Sequence, residues 1–135
     1  MMQYHWPEMP LLPVSWGEVF DKMTILQIKV EKFAGSLKRA NVERELREIA
    51  LVVGDFDRFP AELQPCMDEL KRVNERLWNV EDSKRECERK HCFDDHFVQL
   101  AREVYFGNDK RAAIKRQINA LLGSAIVEEK SYNAY

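Results

Sequence analysis

The sequence predicts an all-α protein: an antiparallel four-helix bundle preceded by an extended, proline-rich arm. Three observations predict it. The 135-residue chain holds only five glycines and five prolines, a third of it is charged, and apolar residues recur at spacings of three, four and seven over long stretches. Average usage would supply about sixteen glycines and prolines in such a chain. The length suits one domain able to bury a core, with residues 1–14 as the arm and 15–135 as the helical domain. The composition excludes a disordered chain, a turn-rich β sandwich and a glycine-rich phosphate-loop enzyme.

The arm carries Pro7, Pro10 and Pro13 together with Tyr4, His5 and Trp6. Prolines at this density prevent a helix, so the arm is expected to lie extended along the domain or on a partner. Ser15-Trp16-Gly17-Glu18 then reads as a capping box, with Val14 and Val19 at the staple positions. The first helix, residues 16–34, places Trp16, Val19, Phe20, Met23, Gln27, Val30, Phe33 and Ala34 on one face, and Gly35 is its expected left-handed end. Ile25 and Ile28 form a second apolar strip off that face, a candidate surface for self-association. The second helix, 37–53, repeats Val42, Leu46, Ile49, Ala50 and Val53 and stops at Gly54. After Pro60 a long helix begins with Pro65 in its first turn and carries Leu63, Met67, Leu70, Val73, Leu77, Val80 and Cys87 to about residue 90. A linker at 91–94 leads to the last helix, capped by Asp94 or Asp95, with Phe97, Leu100, Ala101, Val104, Ile114, Ile118, Leu121 and Leu122 before Gly123. Four antiparallel segments with short connections pack most simply as a bundle.

Charge narrows the function classes. Twenty-one basic against 23 acidic residues, a net charge of −2, offer no general attraction for nucleic acid or an anionic membrane. The longest apolar run, Ile49 to Val53, is far short of a membrane span, and no basic residue precedes Lys22 as a secretory or transit leader would require. A cytoplasmic protein with no nucleic-acid partner and no membrane span is expected, its three cysteines reduced.

The last helix carries the most informative irregularity. If it runs unbroken through Gly107, Leu100, Val104, Arg111, Ile118 and Leu122 share one narrow stripe, with Asn108 and Lys115 at its edge. A guanidinium in a core stripe needs a carboxylate, because unpaired desolvation costs several kcal/mol. Glu18 and Asp21 on the first helix, or Glu75, Glu81 and Asp82 on the third, are the available partners. Three arrangements follow: an ion pair that sets bundle register, an anion-binding pocket of Arg111, Lys115 and Asn108, or a break at Gly107 that leaves these residues exposed.

Glu18 and Asp21, spaced i and i+3 and faced by Glu75 and Glu81 or Asp82, also suggest an alternative: a magnesium site ordering a phosphorylated small molecule for hydrolysis or sensing. Under the principal reading no cofactor and no metal is expected. Cys87, His91, Cys92 and His96 have zinc-ligand chemistry, but both pairs straddle one helix end, where four ligands converge poorly. The basic runs Lys84-Arg85 with Arg89-Lys90, and Lys110-Arg111 with Lys115-Arg116, read as solvated faces. No phosphate-loop, dinucleotide, zinc-protease or serine-hydrolase motif occurs.

Four blocks carry a resemblance: Gly17-Glu18-Val19-Phe20-Asp21-Lys22-Met23-Thr24-Ile25-Leu26, residues 73–82 (Val-Asn-Glu-Arg-Leu-Trp-Asn-Val-Glu-Asp), residues 108–119 beginning Asn-Asp-Lys-Arg, and Glu128-Glu129-Lys130-Ser131-Tyr132. The chain resembles a bacterial family of small all-helical domains of unknown function. The resemblance implies a helical domain, carries no established activity, and suggests a setting in bacterial surface-carbohydrate synthesis. Its blocks coincide with Glu18, Asp21, Lys22, Glu75, Trp78, Asp82, Asn108, Asp109, Arg111 and Lys115. The function expected is a binding or interaction module rather than an enzyme, self-associating through the Ile25/Ile28 strip or the arm, with an anionic small molecule at Asn108, Arg111, Lys115, Asp21, Lys22, Glu75 and Asp82 as the alternative partner.

Overall fold

The computed structural model describes residues 5–134, for Ser36 the backbone only. Among these residues there are four α-helices and no strand: α1 (Trp16–Lys32), α2 (Ser36–Val53), α3 (Leu63–Arg89) and α4 (Asp95–Leu122), with a short 3₁₀ turn at Phe56–Arg58. The capping chemistry works as the sequence predicts at most ends. The Ser15 side chain accepts from the Glu18 amide and the Asp94 side chain from the Phe97 amide. Gly54 and Gly123 close α2 and α4 at positive φ. The first helix ends two residues early, at Lys32 with Phe33 as its cap, so Gly35 serves as the N-cap of α2.

The helices pack as a bundle with α1 at its centre. α1 touches each of the other three, α3 and α4 pair most extensively, and α2 leans chiefly on α1. The main core joins Val19 and Phe20 of α1, Val53 of α2, Leu63, Met67, Leu70 and Val73 of α3, and Ile114 and Ile118 of α4. Trp16, Phe20, Phe56 and Phe59 stack edge and face at one end of it. A smaller cluster of Val80, Cys87 and Leu100 draws on α3 and α4 only, so that hairpin continues past α1 as a two-helix tip.

Three expectations change here, and the continuity of the last helix, left open by the sequence, is settled. Because α1 has neighbours on three sides, Asp21, Thr24, Leu26 and Ile28 are buried along with the predicted face, while Ala34 is exposed. In the Ile25/Ile28 strip, Ile28 is 1% exposed and Ile25 is half-buried, so the strip offers little open surface for self-association. α4 runs unbroken through Gly107, and the glycine has a packing role: a Cβ there would lie 2.6 Å from Leu77 Cδ2, so its absence lets α3 approach α4 closely. Finally, residues 5–14 of the arm are all exposed rather than laid along the bundle, and Tyr4 falls outside the described residues.

Candidate functional site

The polar residues singled out in the sequence meet where α1, α3 and α4 come together. Asp21 is 1% exposed, and a buried carboxylate must be paired. Its partner is Arg111, whose Nε donates to Oδ1 at 2.9 Å while a terminal nitrogen donates to Oδ2, a bidentate arrangement. Asn74 on α3 donates through Nδ2 to Asp21 Oδ1 and to Thr24 Oγ1, both at 3.0 Å, and the Thr24 hydroxyl donates to the Asp21 carbonyl. The hydrogen bond from Arg111 to Asp21 outweighs the cost of burying the guanidinium and holds its pKa above the ordinary arginine value.

One turn along α4, Lys115 Nζ lies 2.6 Å from Glu18 Oε2, 3.5 Å from Glu128 Oε2 and 3.9 Å from Asp21 Oδ2. The Glu18 carboxylate is thus taken by Lys115, and only the Ser15 half of the predicted capping box forms. Glu128 comes from the segment after α4 and also accepts from the Ser15 hydroxyl at 3.0 Å. Burial pushes the Glu128 carboxyl up, but the Ser15 and Lys115 contacts outweigh it and hold the pKa below the ordinary 4.5. The same region covers the start of α1: the Trp16 amide donates to Ser124 Oγ, the Gly17 amide to Asn119 Oδ1 and the Glu18 amide to Ser15 Oγ. Three of the four amides that a helix start leaves unpaired are satisfied this way.

The structure therefore brings Asp21, Arg111 and Lys115 together as a closed cluster of two cations and three carboxylates. It does not include Lys22, which pairs with Glu45 at 3.0 Å on the outer side, or Glu75, whose nearest cation is Lys71 at 4.0 Å. Asp82 and Asn108 stand apart from the cluster on the rim of a cleft of about 450 Å³ beside Arg111. Ile25, Ile28 and Trp78 line that cleft, and Arg85 shares its rim. A wider groove of about 990 Å³ lies on the other side of Arg111 and Asn108, against Tyr105, Phe106 and Tyr132. Among the described residues no three His, Cys, Asp or Glu side chains gather as metal ligands, and Cys92 instead donates to Asp94 at 3.5 Å. No helix among them is long and apolar enough to cross a membrane.

Sequence reasoning missed Asn74, Ser15, Asn119 and Glu128 as members of the cluster. Asn74, Asn119 and Glu128 fall within the blocks that carry the family resemblance; Ser15 was visible only as a cap.

These features define the class: a small all-helical bundle domain with an ion-paired polar lock at its centre and an open cleft beside it. Residues 11–135 match the Family of unknown function (DUF6165), and the chain belongs to that family. No curated protein and no solved structure matches it.

Proposed function

We propose that the protein is a non-catalytic binding and interaction module that self-associates through its N-terminal arm. The observation that carries this reading is the arm itself. Residues 5–14 are all exposed, yet apart from His5 and Glu8 every one of them is apolar or proline, with Trp6 80%, Leu11 91% and Leu12 77% exposed. A contiguous apolar segment of this kind marks an interaction surface. Prolines at 7, 10 and 13 restrict its backbone, which lowers the entropy lost on docking.

The magnesium alternative draws less support, because Glu18 and Asp21 already face Lys115 and Arg111 and have little free charge to offer a metal. The setting we propose is cytoplasmic, in keeping with three free cysteines, and, on the resemblance alone, linked to bacterial surface-carbohydrate synthesis. Size-exclusion chromatography with light scattering tests the module reading. The full chain at high micromolar concentration is expected to show a multiple of 16.0 kDa, and a variant lacking residues 1–14 to run as a monomer. A full-length monomer, or an oligomer that survives arm removal, overturns it.

A further inference from the structure

The cleft between α1, α3 and α4 contains polar groups that the fold itself does not use. Asn74 is 6% exposed and commits its amide nitrogen to Asp21 and Thr24, and its carbonyl oxygen accepts no hydrogen bond seen among the described residues. Along the cleft, the side chains of Asp82, Arg85 and Asn108 make no hydrogen bond or ion pair among the described residues. Asp82 and Arg85 are spaced i and i+3 on α3, about 4.5 Å apart along the helix axis, yet they do not pair with each other. Beneath them the cleft is apolar, lined by Ile25, Ile28, Leu77, Trp78 and Val104.

The balance of charge selects the ligand. A phosphate would meet Asp82 and Glu81 as well as Arg85, and Arg111 has little positive field to spare because Asp21 neutralises it. A simple cation would meet Arg85. A molecule carrying both charges on an apolar body satisfies each wall, and a volume of about 450 Å³ lies within the usual range for small-molecule sites. We propose that this cleft binds a zwitterion of amino-acid size with an aromatic or branched body. Its ammonium group faces Asp82, its carboxylate faces Arg85 one turn further along α3, and its side chain rests on Trp78 and Ile25. The proposal holds whether or not the arm self-associates.

Isothermal titration of the full chain tests it at about pH 6, where α-amines are protonated. The probes are L-phenylalanine and L-leucine, the amide and the N-acetyl derivative of each, and inorganic phosphate. Binding of at least one free amino acid is expected, weakened roughly tenfold or more by removing either charge. Asp82→Asn is expected to weaken the free amino acid and its amide but not the N-acetyl form, and Arg85→Gln to weaken the free amino acid and the N-acetyl form but not the amide. Both positions are exposed, so circular dichroism should show an unchanged fold. Equal binding of all three forms, binding of phosphate without the amino acids, or no binding by a folded protein overturns the proposal.

Discussion

Replacing Arg111 by methionine keeps an unbranched apolar stem in the bundle and removes both hydrogen bonds that the guanidinium gives Asp21. The carboxylate left behind is 1% exposed and retains the Asn74 amide and a distant Lys115. Each charge-assisted hydrogen bond contributes about 1.5–3 kcal/mol, so the gross loss is about 3–6 kcal/mol. Two features reduce it. The Arg111 side chain is 30% exposed and therefore partly screened, and Lys115, now 3.9 Å from Asp21, can close on the orphaned oxygen. A net destabilisation of about 2–3 kcal/mol remains, below the roughly 3–5 kcal/mol typical of a fully buried pair losing one partner. At about 3 °C per kcal/mol for a domain of this size, the midpoint should fall by roughly 6–9 °C. Urea denaturation followed by far-ultraviolet circular dichroism measures the loss, with Lys22→Met as the control. The Lys22–Glu45 pair has the same chemistry but side chains 51% and 45% exposed, and its loss should cost under about 0.5 kcal/mol. If Arg111→Met lies within 0.5 kcal/mol of wild type, the pair does not hold Asp21, and the polar lock is wrong.

The junction of the last segment with α1 should respond to pH through Glu128. Its folded pKa lies below 4.5, so the stability it contributes is present above that value and is lost as pH falls through the lower folded value. Glu128→Gln should therefore be less stable than wild type at neutral pH, by under about 1 kcal/mol because the side chain is 45% exposed, with the difference vanishing in acid; a difference that persists in acid refutes the assignment. Gly17 and Gly107 should part company on substitution by alanine. At Gly17 the new methyl group would sit 2.6 Å from the Lys115 carbonyl oxygen, which is helical backbone, and a loss of about 1–3 kcal/mol is expected by thermal unfolding. At Gly107 the obstacle is the end of the Leu77 side chain, and the gain of about 1 kcal/mol in helix propensity offsets its displacement, leaving stability within about 1 kcal/mol of wild type.

Helix boundaries were legible because caps and stops are local. Ser15, Asp94, Gly54 and Gly123 act through their own or adjacent turns, which a linear reading captures. The surroundings of α1 were not legible in the same way. Periodicity assumes one buried face and one wet face, whereas α1 is enclosed by α2, α3 and α4, so residues assigned to its surface, Ile28 above all, lie inside. Arg111 was legible as a cation in an apolar stripe, and Asp21 as one of several possible carboxylates. Only the crossing of α1 and α4 decides among those carboxylates. Glu128 lies outside any helix, where no periodic signal exists, and Asn74 looked like an ordinary polar residue of an amphipathic helix.

The central position of α1 also explains why stability and ligand binding should separate by mutation. A helix enclosed on three sides must bury some polar side chains, and the chain neutralises them locally: Asp21 with Arg111, Glu18 with Lys115, and the helix start with Ser15, Asn119 and Ser124. Those charges are consumed by folding. The charges on the cleft rim, Asp82 and Arg85, stand on the outer side of α3, where their removal unpairs no side chain among the described residues. Substitutions at Asp21 or Arg111 should therefore lower the unfolding midpoint whatever the protein binds. Substitutions at Asp82 or Arg85 should leave the midpoint unchanged and alter only binding. If Asp82→Asn or Arg85→Gln instead lowers the midpoint by several degrees, the rim charges belong to the lock, and no charges are left free to recognise a ligand.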